Sequence, residues 1–336
     1  MKLEKEAIKD PSISGLMIHI GWNEIEKKKG ELDWKTLDPL IHAAETEKKW
    51  VQLLIFAGFY TPDWVFTEMD RGPIVTITNR PFKPQYGPLK HKDKDKALPL
   101  PMPWDPTYLR LWSEFLHKVG AKYDKSPSFV MIAAAGPTSV SVEMTLPQSP
   151  EDLKEWAIFG YTPDKYAAAW HSVFKACAKS FPHQHIALTV GDALDLDDRR
   201  KVVPGEGKRT RQKIVDQAIT LLGSRFVLSN ADLHVGAKQH EATEYVMGYT
   251  GRVLTGLEMR SALGKGPGAP GELKETINKG MQRNKAGQHI SYLGIYEADV
   301  LEREMQPVLR YGASLFKEKE KHEKTKDEKK GRNDKK

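Results

Sequence analysis

Several acidic residues of this sequence stand directly behind short apolar runs. Glu258 lies near the end of the run RVLTGLEM, and Glu297 and Asp299 follow the run YLGIY. Glu143 lies in the segment GPTSVSVEMTLP, which follows the run FVMIAAA. Two carboxylates about 5–5.5 Å apart act as nucleophile and acid/base in a retaining glycosidase, and about 6.5–9.5 Å leaves room for the water of an inverting one. The residue types therefore favour cleavage of a glycosidic bond.

Aromatic and polar side chains are interspersed near the ends of the same runs. Aromatic faces stack on the apolar faces of sugar rings, and such side chains bury a large area with little loss of freedom. The mixture of aromatic and polar residues favours a sugar over an apolar ligand. The predicted substrate-binding residues are His19, Trp22, Asn23, Trp64, Trp104, Asn230, Glu297 and Asp299.

Each of these candidates also has a structural interpretation. Glu258 would then pair with a nearby arginine, Arg260 or Arg252, and Glu143 would be a solvated loop residue. The two carboxylates after the last apolar run would have a structural role, such as capping the following helix. Trp22, Trp64 and His19 would belong to the core, since Trp is often buried.

Seven short apolar runs alternate with amphipathic segments along the chain. Runs that are apolar at almost every residue are typical of parallel strands buried on both faces. The predicted strands cover 15–20, 51–56, 129–135, 185–190, 225–230, 252–259 and 292–298. The predicted helices cover 33–48, 106–123, 163–180, 208–222, 237–248, 271–286 and 301–315.

Repeated strand–helix units predict an α/β fold of the (β/α)8 TIM barrel type, in which active sites lie at the C-terminal ends of the strands. No glycine-rich phosphate loop follows the first strand, which disfavours a dinucleotide-binding fold. The count is one strand short of eight. Either Met1–Ile8 or residues 75–78 supply the missing strand, or the barrel is incomplete, with a short or missing first strand. We predict one catalytic domain over 1–315, with a long loop insertion over 58–105.

The composition of the 336-residue chain is that of a folded protein, with 39% hydrophobic and 29% charged residues. No run approaches the roughly 18 apolar residues of a membrane helix, so no membrane partner is expected. The first ten residues lack the apolar core of a signal peptide, which predicts a cytoplasmic location by default, or secretion if the N-terminus is truncated. The single cysteine, Cys177, excludes an internal disulfide and a cysteine-built metal site. Neither a metal nor another cofactor is predicted.

The net charge of +7 is concentrated at the C-terminus. Residues 317–336 carry ten Lys or Arg and six Asp or Glu, a net charge of +4, which leaves +3 for the remaining chain. A stretch of this kind buries no apolar surface, so 316–336 is predicted to be a disordered tail. A solvated tail is favoured over an arm that binds nucleic acid, so no nucleic-acid partner is predicted.

The stretch GLMIHIGWNEIEKKKGELDWKTLDPLIHAAETEKKWVQLLIFAG resembles the second and third strand units of clan A glycoside hydrolases. Those units often read as an apolar strand, a Trp, an IEP…G…DW segment, a helix and another strand. The matching positions are Trp22, Ile25, Glu26, Gly30 and Trp34. Lys27 stands where the family has Pro. Three further motifs, TPDWVF, PMPWDPTYLRLW and YLGIYEADV, resemble a group of β-galactosidase-like barrel proteins, and the resemblance spans roughly residues 13–315.

The resemblance implies a retaining two-glutamate β-glycosidase that acts on an oligosaccharide or polysaccharide. Clan A enzymes keep the acid/base Glu at the end of the fourth strand and the nucleophile Glu at the end of the seventh. If 129–135 is the fourth strand, Glu258 takes the nucleophile position and Glu143 is the best candidate for the acid/base. Gly136-Pro137 stands where the clan usually has Asn-Glu. This departure favours the alternative prediction, a carbohydrate-binding barrel that has lost catalysis.

Overall fold

A computed structural model of the chain describes residues 5–69, 74–76, 97–236 and 241–317. The chain divides into two compact units, of which the first is Gly15–Asn230. The second comprises Lys2–Ser14 together with Ala231 onward. The single catalytic domain over 1–315 stays a prediction. Residues 318–336 of the predicted disordered tail, and 70–73 and 77–96 of the predicted insertion, lie outside the described residues.

The strands confirm the predicted α/β fold with seven strand–helix units. They are β1 Gly15–Gly21, β2 Trp50–Phe56, β3 Ile74–Thr76, β4 Ala97–Pro99, β5 Phe129–Ala133, β6 His185–Thr189, β7 Phe226–Leu233, β8 Leu254–Met259 and β9 Tyr292–Gly294. Seven of them form one sheet in the order β1-β2-β5-β6-β7-β8-β9. Parallel pairing joins β1 to β2, β2 to β5, β5 to β6, β6 to β7, and β8 to β9.

Neither predicted candidate for an eighth strand joins this sheet through the residues that the structure describes. Residues 5–9, which include the end of the first candidate, are helical. Strand β3 overlaps the second candidate, but it pairs antiparallel with β4 in a separate two-stranded sheet. Of the three alternatives, the described part of the chain therefore agrees with a sheet of seven strands.

The helices are α1 Lys5–Lys9, α2 Trp22–Ile25, α3 Leu37–Thr46, α4 Asp63–Glu68, α5 Pro106–Tyr123, α6 Pro150–Ile158, α7 Pro163–Ser180, α8 Glu206–Leu222, α9 Glu241–Gly248, α10 Ala269–Gly280 and α11 Glu297–Val300. Residues 306–317 are also helical. Local chemistry explains why α5 and α7 begin where predicted, since each has Pro at its first position and an oxygen-bearing residue before it. Asp105 Oδ1 accepts a hydrogen bond from Tyr108 N at 2.8 Å, and Thr162 Oγ1 accepts one from Lys165 N at 3.2 Å. No helix among the described residues has the length and apolar character needed to cross a membrane.

The two faces of the sheet differ in chemistry within the first unit. Neighbouring strands place one buried apolar set in register, Ile18, Leu53, Ile132, Ile186 and Phe226, as expected for the face that crossover helices cover. Side chains alternate along a strand, so the residues between them point the other way. That opposite face carries polar side chains on four strands: His19, Gln52, His185, Thr189 and Ser229.

A buried carboxylate anchors the segment that follows β1. Glu26 has no solvent exposure, and its carboxylate accepts hydrogen bonds from Lys118 Nζ at 2.5 Å, Gly30 N at 3.0 Å and Trp22 Nε1 at 3.2 Å. The main-chain oxygen of Glu26 accepts another bond from Trp64 Nε1 at 3.0 Å. One residue thus joins α2, α4 and α5, which explains why the Trp–Ile–Glu…Gly pattern is kept in this chain.

Replacement of Glu26 is therefore expected to destabilise the fold. Glu26→Ala leaves the buried indole N–H and the Lys118 ammonium without their acceptor, and it lowers the free energy of unfolding by about 2–4 kcal/mol. The matched control is Glu31→Ala, whose ion pair with Lys28 is exposed on both sides and whose loss changes stability by less than about 0.5 kcal/mol. Denaturant unfolding measures both values. Equal effects of the two substitutions would refute the anchoring role.

Candidate active site

Glu143 lies in the loop after β5, and this loop runs alongside the end of β6. Glu143 forms a parallel bridge with Thr189, and Met144 N donates a hydrogen bond to Thr189 O at 2.9 Å. This close approach requires a glycine at position 191, the second residue after β6, because a Cβ there would clash with the Thr145 side chain. Residues paired in parallel point to the same side, so Glu143 shares the face of Thr189, away from the apolar side of the sheet.

Three successive carbonyls hold the segment between β5 and Glu143. Ala135 O accepts from Trp112 Nε1 at 2.5 Å, Gly136 O from Tyr108 Oη at 2.7 Å, and Pro137 O from Tyr166 Oη at 2.8 Å. Burial raises the pKa of both phenols above its usual range, so both stay protonated donors. Gly136 has a φ of +140°, and a Cβ there would lie 3.0 Å from the Trp112 ring. We call these three bonds the carbonyl clamp.

The carbonyl clamp was not anticipated from the sequence. Tyr108, Trp112 and Tyr166 lie within the predicted helices 106–123 and 163–180, where their spacing does not set them apart from core residues. The only available signal was their polar tips, since a buried Tyr or Trp normally finds a partner for its O–H or N–H. The clamp includes Gly136-Pro137, the pair that the resemblance aligns with Asn-Glu, so the end of β5 bears no carboxylate.

Two polar candidates of the first unit lie on or near β1. His19 is half-buried with its ring 5.4 Å from that of Phe56, and desolvation lowers the pKa of His19 to about 4. The imidazole is therefore neutral at physiological pH. Asn23 is half-buried at the start of α2, and its Oδ1 is buried with no hydrogen-bond donor among the described residues. Substrate binding by both residues stays a prediction.

Asn230 lies close to the strand end that anchors Glu143. Its Nδ2 donates to Val190 O at 3.0 Å, and the hydroxyls of Thr189 and Ser229 lie 3.1 Å apart. Asn230 thus contacts Val190, the residue that follows Thr189, with which Glu143 pairs. Asn230 is only 3% exposed, and its contact with substrate stays a prediction.

Trp22 does not form the predicted sugar platform. Its side chain has no solvent exposure, stacks on Phe115 at 5.3 Å between ring centroids and lies 5.1 Å from Trp112. A ring enclosed in this way presents no face to a ligand, so Trp22 belongs to the core. The core interpretation, which the sequence left open, is the correct one for this residue.

The other two predicted platforms are half-buried. Trp64 lies edge-on to Trp22, and Lys29 Nζ stands 5.9 Å from the centre of its ring. Trp104 packs at 5.8 Å from Trp156 and 5.7 Å from Tyr161, both of which are fully buried. A ring that is held by buried neighbours and keeps partial exposure suits stacking, and sugar binding by Trp104 and Trp64 stays a prediction.

In the second unit, Glu258 lies on β8 and points away from α10. Leu257 pairs with Leu293 in the adjacent strand, and Leu293 lies 3.7 Å from the position of a Cβ at Gly280 on α10. Glu258, one residue further, therefore stands on the opposite face. Its partner in register is Gly294.

The two arginines that the sequence offered as partners for Glu258 make other contacts. The Arg260 guanidinium binds both carboxylate oxygens of Asp232, through Nε and through Nη2, the latter at 3.0 Å. This hydrogen-bonded pairing raises the pKa of Arg260 further. The Arg252 guanidinium lies over the Tyr249 ring at 4.7 Å.

Asp299 is predicted to contact the substrate, but in the structure it is a buried structural residue. It has no solvent exposure, and its carboxylate accepts hydrogen bonds from Leu263 N at 3.0 Å and from Gly264 N at 3.1 Å. It therefore closes the loop that follows β8 and does not cap the next helix. Glu297 is half-buried in the first turn of α11, and its role stays a prediction.

The described residues contain no group of three or more His, Cys, Asp or Glu that could hold a metal ion. Among the described residues, the candidate site residues supply carboxylates, amides, a neutral imidazole and half-buried indoles. This set can transfer protons, attack a carbon centre and bind a polar ligand with apolar faces.

Comparison with solved structures confirms the predicted resemblance at the level of the fold. The structure is similar to the β-galactosidase of the Antarctic haloarchaeon Halorubrum lacusprofundi, with a TM-score of 0.54 and 9% identity over 93% of this chain and 55% of that chain. It is also similar to the β-galactosidase of the psychrophilic Marinomonas ef1, with a TM-score of 0.51 and 11% identity over 92% of this chain and 56% of that chain. The chain spans little more than half the length of either enzyme. No protein-family model and no curated protein matches the sequence.

The lowered pKa of His19 predicts how stability depends on pH. The folded pKa of about 4 lies below the unfolded value of about 6.5, so the unfolded state binds more protons between these values. Stability therefore falls as the pH drops through this window. From pH 7 to pH 5, the wild type is expected to lose about 2 kcal/mol more than His19→Gln.

Chemical unfolding at the two pH values measures this difference. The control is His117→Gln, since His117 is exposed on α5 and its replacement leaves the pH dependence of the wild type unchanged. Parallel stability curves for the wild type and His19→Gln would contradict the burial of a neutral imidazole.

Proposed function

We propose that this chain is a glycoside hydrolase that cleaves a β-glycosidic bond with retention, using Glu258 as the nucleophile and Glu143 as the acid/base. One observation carries the proposal. Within its own unit, each glutamate lies at the C-terminal end of a parallel strand and on the face opposite the apolar side. In folds of this type, that is where catalytic groups lie. The fold shared with two β-galactosidases supports the reaction class.

The proposed reaction proceeds in two steps. In the first, the ionised Glu258 carboxylate bonds to the anomeric carbon while the bond to the leaving oxygen breaks, and that oxygen takes its electron pair and the proton of Glu143. In the second, the Glu143 carboxylate removes a proton from water, whose oxygen bonds to the anomeric carbon and releases Glu258. The sugar leaves with its original anomeric configuration, and the reaction needs no cofactor.

The substrate is proposed to be an oligosaccharide or polysaccharide. Trp104 and Trp64 offer partly exposed rings for the apolar face of a sugar. Asn23 is half-buried and its amide can exchange hydrogen bonds with a sugar hydroxyl, and the neutral His19 can donate or accept a hydrogen bond. Glu297 is the remaining candidate for a hydroxyl contact.

A second candidate function is carbohydrate binding without catalysis. The carbonyl clamp favours it, because the clamp fixes Gly136-Pro137 where related enzymes carry Asn-Glu. A barrel of this kind would retain the aromatic and amide contacts and lack turnover. The two candidates differ in one measurable property, hydrolysis.

Hydrolysis of aryl β-glycosides and polysaccharides by the wild type and by Glu143→Gln and Glu258→Gln tests the proposal. The wild type is expected to turn over at least one substrate, and each variant is expected to lose about 10²–10⁴-fold in kcat. The controls are Glu151→Gln and Glu272→Gln, which change exposed glutamates in the first turns of α6 and α10 and leave kcat unaltered.

Turnover that survives both Glu143→Gln and Glu258→Gln would refute the assigned residues. A folded wild type that binds an oligosaccharide and hydrolyses none of the panel would establish the binding function instead. Circular dichroism of every variant separates loss of chemistry from loss of fold.

A further inference from the structure

The main chain around Glu143 is held on both sides. Thr145 N donates to Glu143 O at 2.7 Å, and Ser139 Oγ donates to Thr145 O at 3.0 Å. Together with the bridge to Thr189, these bonds fix where the Cα of Glu143 lies. They do not fix the carboxylate, because a glutamate side chain has three rotatable bonds and loses considerable entropy when it is ordered.

Ser141 supplies a contact that fixes the carboxylate itself. Its hydroxyl donates a hydrogen bond to Glu143 Oε2 at 3.2 Å and accepts one from Glu143 N at 3.0 Å. The accepted bond occupies a lone pair of the hydroxyl and so directs its single hydrogen toward the carboxylate. Ser141 and Glu143 are half-buried, which keeps this contact partly shielded from water.

We propose that Ser141 is a positioning residue for Glu143, which makes Oε1 the oxygen that carries and transfers the proton. The proposal rests on the acid/base role of Glu143 under the proposed function. A protonated carboxyl has its hydrogen on one oxygen only. Because Oε2 accepts the hydrogen of Ser141, the acidic proton resides on Oε1.

The proton movements balance in each step. When the bond between the anomeric carbon and the leaving oxygen breaks, the proton of Oε1 passes to that oxygen. When water attacks, its proton returns to Oε1, and its oxygen replaces the bond to Glu258. Ser141 keeps its own proton throughout, so it orients Glu143 and does not react.

The test uses aryl β-glycosides whose leaving phenols differ in acidity, with kcat/KM as the measured quantity. A weakly acidic phenol needs the proton of Glu143 in order to leave, while dinitrophenolate leaves without it. Ser141→Ala is therefore expected to lower kcat/KM about 10-fold for the phenyl glycoside and less than about 2-fold for the dinitrophenyl glycoside. Ser141→Thr, which keeps the hydroxyl, is expected to restore the phenyl glycoside rate.

The control is Ser172→Ala, since Ser172 lies exposed on α7 with its hydroxyl bonded to Ala168 O. If Ser141→Ala fails to fold, Ser141→Cys, which nearly preserves the shape and weakens the donor, takes its place. An equal loss of kcat/KM for all leaving groups would show a merely structural role and would overturn the proposal.

If Glu143→Gln is inactive but Ser141→Ala keeps the wild-type rates on every glycoside, the role of Ser141 alone is overturned. A wild type that is inert on every glycoside would overturn the proposed function and this inference with it. The two failures are therefore distinguishable in one set of assays.

Discussion

The alternation of side chains along parallel strands decides where chemistry can take place in this protein. Successive residues of a strand point to opposite faces of the sheet. Where helices cover one face, the half of each strand's side chains that point to that face must be apolar. In the first unit, Ile132, Ile186 and Phe226 form part of that half, and His19, Thr189 and Ser229 stand on the other. In the second unit, Leu257 follows the same rule, and Glu258 stands on the other face. A charged side chain such as that of Glu258 is therefore accommodated on the face opposite the apolar one.

The carbonyl clamp fixes the main chain that leads from β5 toward Glu143. Three buried aromatic side chains use their polar tips on consecutive carbonyls, and each bond satisfies a main-chain acceptor that would be costly to leave unpaired in the interior. The segment is thereby rigid and contains no carboxylate. The next acidic residue that returns to a strand end is Glu143, which reaches the exit of β6 by pairing with Thr189. The clamp thus fixes the start of the same loop whose later residue, Glu143, pairs with β6.

Strands and long helices were predictable because their signals are local. Continuous apolar runs marked all seven strands of the sheet, and the Asp-Pro and Thr-Pro starts marked α5 and α7 to the residue. The ends of runs were less predictable, since FVMIAAA continues as an apolar run for two residues after β5 ends at Ala133. The eighth strand could not be settled, because a short apolar segment such as VTIT fits an isolated hairpin as well as a sheet.

Site residues were harder to predict because their roles depend on packing between distant segments. The local sequence around a Trp that follows a strand does not show whether the ring stacks on a sugar or packs in the core. Trp22 packs in the core against Phe115 and Trp112. Asp299 likewise became structural through Leu263 and Gly264, which lie far away in sequence. Ser141 carries a weak local signal, since a serine two residues before a glutamate often bonds to its main chain.

The proposed reaction depends on a covalent bond between Glu258 and the sugar, which mass spectrometry can detect after reaction with an activated 2-deoxy-2-fluoro β-glycoside. The fluorine slows release of a glycosyl-enzyme, so a retaining enzyme accumulates the intermediate. If Glu258 is the nucleophile, one fluorosugar is added per chain, and it is located on the peptide that contains Glu258. A label on a different residue, or an unlabelled protein that still hydrolyses its substrate, would contradict the account.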